Sequence, residues 1–181
     1  MKQDFNEKME IPEGVEIKIE LGILNAKGPK GELSKILRVP NVNVEVKEKD
    51  VFISAKKGTK REKRMIGTLK SHIENIFQGV TEGHIYKLKI CSTHFPMTVN
   101  NNNGEFSVQN FLGEKVPRTI KIKKGVDIKI EGEIITVESV DKELAGQTAA
   151  SIEKICRINN RDRRIFQDGI YMIEKSEKKK E

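Results

Sequence analysis

The strongest constraint on the fold is that the chain repeats its own pattern. Val44-Glu-Val46 and Val51-Phe-Ile53 recur as Ile128-Lys-Ile130 and Ile135-Thr-Val137, with the same gap inside each pair. Alternating apolar and polar residues at this length read as half-buried strands, so each pair is an expected hairpin. A helical pattern follows each hairpin, and Gly67 to Ile73-Glu74 and Ile76 align with Gly146 to Ile152-Glu153 and Ile155. A Gly-Glu pair precedes each hairpin, Gly31-Glu32 in one copy and Gly113-Glu114 in the other. Agreement of hairpin, glycine and helix register together implies a duplicated unit of roughly 80 residues. A sheet of this kind buries its apolar face by packing a helix across it. The expected fold is therefore α+β, with two tandem similar domains, each an antiparallel β-sheet packed by one main α-helix. Expected boundaries are 1–82 for the first domain and 83–174 for the second, with a charged tail over 175–181.

In the first copy, Val15 to Leu21 alternates as a strand, and Gly28-Pro29-Lys30-Gly31 interrupts the pattern. A GxxG with a central basic residue also occurs in KH RNA-binding domains, where it joins two helices. Here the flanking segments, including Leu33 to Val39, look extended, so a glycine turn in a hairpin is expected. Lys47 to Asp50 should join the repeated hairpin. The basic segment Lys56 to Arg64 follows and has no counterpart in the second copy. Thr59 with Glu62 three residues later fits a capping box that starts a helix. That helix should run to about Gln78 with Ile66, Leu69, Ile73, Ile76 and Phe77 inward and Gly79 as its C-cap. Cations at a helix start oppose its macrodipole, a cost that solvent or a bound anion would absorb.

In the second copy, Glu82-Gly83-His84 reads as a junction and Lys87 to Ile90 as a strand that Ser92 to Met97 breaks. Asn100 to Asn103 suits a hairpin loop before a strand around Phe106 and Val108. Lys115, Arg118, Lys121, Lys123, Lys124 and Lys129 form a dense basic run, interrupted by the acid Asp127. Strand alternation puts Lys121 and Lys123 on one exposed face, opposite Ile120 and Ile122. Asp141 is placed to N-cap the second helix. Leu144, Thr148, Ile152 and Ile155 fall on one helical face, and Gly146 keeps the first turns slim enough for another backbone to approach. Asn159, Asn160 and Asp162 should end the helix near Arg157. Arg157, Arg161, Arg163 and Arg164 then crowd one loop, and the planar guanidinium fork suits phosphate oxygens. Gly169 to Tyr171 with Ile173 reads as a closing edge strand, and the charged tail as a disordered segment that favours solubility.

The net charge is +7 with a pI near 9.3. Such a balance points towards a polyanionic partner, although ordinary soluble proteins also reach it. Seven Phe, two Tyr and no Trp are too few for a platform that stacks single-stranded bases. Cys91 and Cys156 form neither a CxxC nor a Cys/His cluster, so neither zinc nor a disulfide framework is expected, and a reducing compartment suits them. No apolar leader and no apolar run of membrane-spanning length is present, which suggests a soluble intracellular chain. An acid–base enzyme could recruit Ser92 with His94, or His72 with Glu74. No nucleophile elbow, phosphate loop or metal motif accompanies them, so no enzymatic activity is expected. His72 then reads as a boundary residue and His94 as a turn residue.

Three segments together resemble a known family. Asn110 to Arg118 reads NFLGEKVPR, Gly146 to Lys154 reads GQTAASIEK, and Arg157 to Tyr171 follows RIxxRDxRxFQDGIY. The GPKGELS turn, the STHFPMTV segment and the two-copy layout agree with them. The chain resembles the archaeal and eukaryotic form of ribosomal protein six of the large subunit, from about Met9 to Glu174. The resemblance implies two similar α+β domains and a structural role in the cytoplasmic ribosome, with no cofactor, metal or membrane. It implies that the second domain chiefly contacts large-subunit ribosomal RNA, near the sarcin–ricin region and the stalk base where translation factors dock. Neighbouring large-subunit proteins are the implied protein partners, and the chain would be a monomer outside the ribosome. Carried over residue by residue, the contact candidates are Lys115, Arg118, Gln147, Thr148, Arg157, Arg161, Arg163, Arg164 and Gln167. Lys121 and Lys123 join them from the basic run. Asp168 belongs to the same signature and would contact RNA or orient an arginine. Cys91 and Asn159-Asn160 depart from the family pattern. A free-standing RNA-binding or chaperone protein using the same basic face is the alternative.

Overall fold

Alternating side chains build four antiparallel sheets, two in each of two units. A computed structural model describes residues 3–47, 50–102 and 104–176 of the chain. The first unit ends at Gly83 and the second begins at His84. The first contains β1 (Gln3–Glu10), β2 (Glu16–Glu20), β3 (Ile23–Gly28), β4 (Gly31–Ile36), β5 (Asn43–Lys47), β6 (Asp50–Gly58) and α1 (Lys60–Thr81). Its sheets have the orders β1-β6-β5 and β2-β3-β4. The second contains β7 (His84–Cys91), β8 (Thr98–Asn102), β9 (Glu105–Gln109), β10 (Arg118–Lys121), β11 (Asp127–Glu131), β12 (Ile134–Ser139), α2 (Lys142–Ile155) and β13 (Gly169–Glu174). Its sheets have the orders β10-β9-β8 and β11-β12-β7-β13.

The duplication holds down to strand register. Val44 pairs with Ile53 and Val46 with Val51. Ile128 pairs with Val137 and Ile130 with Ile135 in the same relation. β7, β12 and β11 repeat the order of β1, β6 and β5, and β13 is an edge strand that the first copy lacks. Ile73 and Ile152 occupy equivalent helical positions, and both are fully buried.

Each unit has two sheets where the repeat pattern suggested one. The reason is local. In the first unit Pro12 with Gly14 (φ +80°) and Pro40 with Asn41 (φ +62°) stand at both crossings between the sheets. Proline cannot donate to a ladder, and a left-handed residue turns the chain out of its strand. Pro96 and Gly125 (φ +87°) stand at the corresponding crossings of the second unit. β1 was also illegible, because Phe5 and Met9 are its only large apolar residues. It forms because β6 supplies its hydrogen-bond partners along Asn6 to Glu10.

Both expected helix starts are present. Thr59 accepts from the Arg61 N–H while Glu62 accepts from the Thr59 N–H, and Asp141 accepts from the Glu143 N–H. The first helix runs further than expected. Gly79 is buried inside it, Glu82 is the C-cap, and Gly83 (φ +82°) takes the left-handed turn, donating to Gln78 O at 3.1 Å. Gly28 and Gly31 close the β3–β4 hairpin, as expected of a glycine turn. Lys30 N–H donates to Val80 O at 3.0 Å, and a Cβ on Gly28 would meet that oxygen at 2.6 Å, so this turn is fastened to the end of α1.

The two helical glycines differ. A Cβ on Gly146 would lie 3.2 Å from the Tyr86 hydroxyl, whereas one on Gly67 would meet nothing within 4 Å. Gly67 therefore costs helix stability without a packing return. Gly67→Ala is expected to stabilise the protein by about 0.5–1 kcal/mol in urea titration. An unchanged or lower midpoint would contradict this account of the position.

Candidate nucleic-acid interface

The second unit's core gathers Tyr86, Leu88, Phe106, Val108, Phe111, Ile135 and Val137 from the sheets against Ala145, Ala149 and Ile152 of α2. Beyond that helix, the chain must carry several arginines across the surface. Like charges at this spacing repel, so the loop needs anchors of other kinds, and it has three.

The first is Arg118. Its Nε and Nη2 donate to the Glu114 carboxylate at 2.7 and 2.6 Å. Its Nη1 donates to Ile155 O at 2.7 Å and Arg157 O at 3.2 Å, the orphan carbonyls where α2 ends. The guanidinium also lies 4.4 Å from the centre of the buried Phe111 ring. Hydrogen bonds from Arg118 hold the Glu114 carboxyl below its ordinary range. Asn110 and Leu112 adopt left-handed backbone beside Gly113 (φ +59°, +49° and +81°), and Asn110 Nδ2 donates to Pro96 O. The NFLGEKVPR segment is thus a tight loop that delivers Arg118 to the end of the helix.

The second anchor is Asp168, only 1% exposed. One carboxylate oxygen accepts from the Thr93 and His94 N–H groups at 2.5 and 2.9 Å, and the other lies 2.6 Å from His94 Nδ1. Burial pushes its pKa up, but the bonds from His94 and Thr93 outweigh burial and bring it to about 2. The third is a stack, in which Arg161 lies 4.9 Å from the Phe166 ring centre and Phe166 stacks on His94 at 4.8 Å. The Asp162 backbone carbonyl accepts from the Ile165 and Phe166 N–H groups at 3.1 and 2.9 Å. Tyr171 Oη donates to Gln167 O at 3.0 Å, tying the loop to β13.

The expected contact residues divide into three groups. Lys115, Lys121, Lys123, Gln147, Arg157, Arg161, Arg163, Arg164 and Gln167 are exposed. Lys123 Nζ donates to Gln147 Oε1 at 2.6 Å, so those two stand together beside the first half of α2. Exposure alternates as expected across Ile120, Lys121, Ile122 and Lys123, although β10 itself ends at Lys121. Arg164 is 90% exposed and grips Asp162, with Nη2 at 2.8 Å. Arg118 is instead mostly engaged, at 27% side-chain exposure, in the clamp described above. Thr148 is 6% exposed on the core-facing side of α2 and offers no surface for contact. Its spacing with Leu144, Ile152 and Ile155 on one helical face accounts for that burial.

Asp168 orients Thr93 and His94 rather than an arginine, and His94 is part of that anchor rather than a plain turn residue. Sequence reasoning also missed Glu114 and Phe166. Glu114 carried a signal, an acid four residues before Arg118 in a basic run. His72 Nδ1 lies 3.3 Å from Lys35 Nζ at a partly buried boundary. Ser176 Oγ, near the start of the tail, lies 2.7 Å from the buried His84 Nδ1, and the rest of the tail expected to be disordered lies outside the described residues. Both cysteines are free, and burial pushes the Cys156 thiol up to about 11. Among the described residues no group of His, Cys, Asp and Glu could hold a metal, and no helix is long and apolar enough to cross a membrane.

Such a duplicated sheet-and-helix frame, with Arg157, Arg161, Arg163 and Arg164 exposed on one braced loop and Lys115, Lys121 and Lys123 exposed in the same unit, defines a two-copy α+β protein with a cationic second unit. Comparison with known sequences makes the class specific. The family model described as Ribosomal protein L6 matches residues 11–83 and 95–169, one match in each unit. The chain belongs to that family. It is 44% identical to the large ribosomal subunit protein uL6 of Methanobrevibacter smithii over 171 residues, which cover 94% of this chain and 96% of the relative. It is 41% identical to the protein of that name from Methanosarcina mazei, over 97% of this chain and 100% of the relative. The corresponding protein of Methanospirillum hungatei is 40% identical over 92% of this chain and 95% of the relative.

The Asp168 anchor has a pH signature. Its folded pKa is depressed to about 2, so its contribution is present above the unfolded value near 4 and lost as pH falls through 2. Asp168→Asn is expected to cost about 2 kcal/mol at neutral pH, with wild type and variant converging below pH 4 in denaturant titrations. A constant gap down to pH 2 would show that the carboxylate charge is not what holds Thr93 and His94.

Proposed function

We propose that the chain is a structural constituent of the large ribosomal subunit, and that its second unit is the main RNA-binding domain. The contacted RNA is large-subunit ribosomal RNA near the sarcin–ricin region and the stalk base, beside neighbouring large-subunit proteins and the docking region for translation factors. Family membership supports a ribosomal, cytoplasmic role and a structural rather than enzymatic one.

The observation that carries the RNA assignment is a division of labour among the cations. Arg118 is spent on holding the loop, while Lys115, Lys121, Arg157 and Arg163 are exposed and have no salt-bridge partner among the described residues. Exposed cations without acid partners are available to phosphate, and phosphate neutralisation would supply most of the affinity. Few aromatics are exposed, so the face suits folded RNA read by shape and backbone rather than splayed bases.

Arg163→Ala with Arg164→Ala is expected to weaken binding to deproteinised large-subunit ribosomal RNA and incorporation into the subunit, with the melting temperature nearly unchanged. If about six phosphates are contacted, wild-type affinity should fall on the order of 10³-fold between 50 and 200 mM salt. A salt-insensitive complex, or recovery of the protein free of the large subunit on sucrose gradients, would sink the proposal. Arg118→Lys keeps the charge but loses the planar fork. It is expected to lower stability by about 1–2 kcal/mol in denaturant titrations while leaving the salt dependence intact.

A further inference from the structure

The basic segment that has no counterpart in the second copy remains unexplained by the face described above. It carries Lys56, Lys57, Lys60, Arg61, Lys63 and Arg64, with Glu62 as its acid. Strand alternation along β6 buries Val51, Ile53 and Ala55, which would turn Lys57 inward. A bulge prevents this. Gln3 pairs with Gly58 and Phe5 with Ala55, so Lys56 and Lys57 together stand opposite Asp4. Lys57 takes a left-handed φ of +50°, and both lysines are exposed while Gly58 is buried again. Bulges re-aim side chains in this way, and a non-glycine residue held left-handed costs backbone energy.

The acids nearest this segment do not neutralise it. Glu62 accepts from the Thr59 N–H and hydroxyl, and those bonds hold its carboxyl down at about 2. Asp4 accepts from the Lys57 N–H at 2.7 Å. Both carboxylates are committed to backbone, and the amides at the start of α1 are already capped. Elsewhere in the unit lysines are paired, Lys8 with Asp50, Lys27 with Glu32 and Lys70 with Glu7, at 2.7 to 3.0 Å. Lys56, Lys57, Lys60, Lys63 and Arg64 have no such partner among the described residues. Lys60, Lys63 and Arg64 sit at i, i+3 and i+4 on one helical face and line one open depression. Lys56 and Lys57 line a cleft of about 420 Å³ with Asn41, Asn43, Ser54, Thr59 and Glu62, whose carboxylate is already held by the Thr59 N–H and hydroxyl.

We propose that this bulge-and-helix surface of the first unit is a second, independent RNA-backbone site, taking phosphodiester groups of a folded RNA. Its lining has cations and amide donors for phosphate oxygens but no aromatic anchor of the kind that dominates protein interfaces. Contacts of this kind position the RNA by its backbone and carry no sequence information.

The test uses the full chain, deproteinised large-subunit ribosomal RNA, and polyglutamate as an acidic polypeptide probe. The variant K56Q/K57Q/K60Q/K63Q/R64Q is compared with the charge-keeping K56R/K57R/K60R/K63R, with thermal melting of each confirming the fold. Loss of three phosphate contacts lowers the slope of log affinity against log salt by about 2 to 3. The affinity gap between wild type and the glutamine variant should therefore narrow about 30-fold between 50 and 200 mM salt. The arginine variant should keep the wild-type slope. An unchanged slope for the glutamine variant would overturn the proposal, as would loss of polyglutamate binding with RNA binding intact. The second unit's reading fails separately, because R163A/R164A is measured in the same assay.

Discussion

A carboxylate with almost no access to water stays charged only if the protein replaces the water. Around Asp168 it does so with two backbone N–H groups and one imidazole nitrogen, all from the Thr93-His94 segment. Much of the second unit's surface depends on that replacement. The loop from Arg157 to Gln167 carries arginines that repel one another and few apolar side chains that could bury it. Its shape must come from its ends. Arg118 fixes the first end at the terminus of α2, and Asp168 fixes the last end where β13 begins. Between them the Arg161–Phe166–His94 stack joins the loop's middle to the same anchor.

This arrangement exists in one copy only, and the extra strand explains why. β13 pairs with β7 so that Gly169 lies opposite Cys91. That pairing brings Asp168 within reach of Thr93, two residues beyond Cys91. The first copy has the same hairpin register and the same helix position but no strand after its helix, so it cannot form a braced loop there. It diverges instead before the helix, where the bulge at Lys56 and Lys57 turns an interior position outward. Duplication supplied two equivalent frames, and each frame carries its exposed cations at a different edge.

What was legible in the sequence follows the range of the interactions. Hairpin pairing between Val44 and Ile53, the Thr59–Glu62 box and the Asp141 cap are decided within a dozen residues, and each could be read directly. The family segments likewise pointed to the loop that Arg118 and Asp168 brace. Asp168 and His94 stand 74 residues apart, and nothing local marks them as partners. Their contact depends on β13 finding β7, which composition does not announce. Thr148 shows the two sources diverging, because its spacing with Leu144, Ile152 and Ile155 put it on the inward face, where it is buried, while the family resemblance made it a contact candidate. Gly79 looked like a cap because glycine usually ends helices, yet Gly83 lay four residues on and ended it instead.

The split between Arg118 and Arg164 shows how charge can serve either structure or binding. Arg118 gives its Nε, Nη1 and Nη2 to a carboxylate and two carbonyls, so little of its fork remains for a phosphate. Releasing it would leave the end of α2 with bare carbonyls and the Phe111 ring uncovered, and an RNA contact would have to repay both. Arg164 also grips an acid, but its pair with Asp162 lies in water and is screened there. Exchanging that carboxylate for a phosphate disturbs no buried group. The same chemistry therefore makes one arginine a fastener and the other a replaceable contact, and burial decides which. A cationic loop that binds a polyanion needs both kinds, since cations free to reach the ligand cannot also hold one another in place.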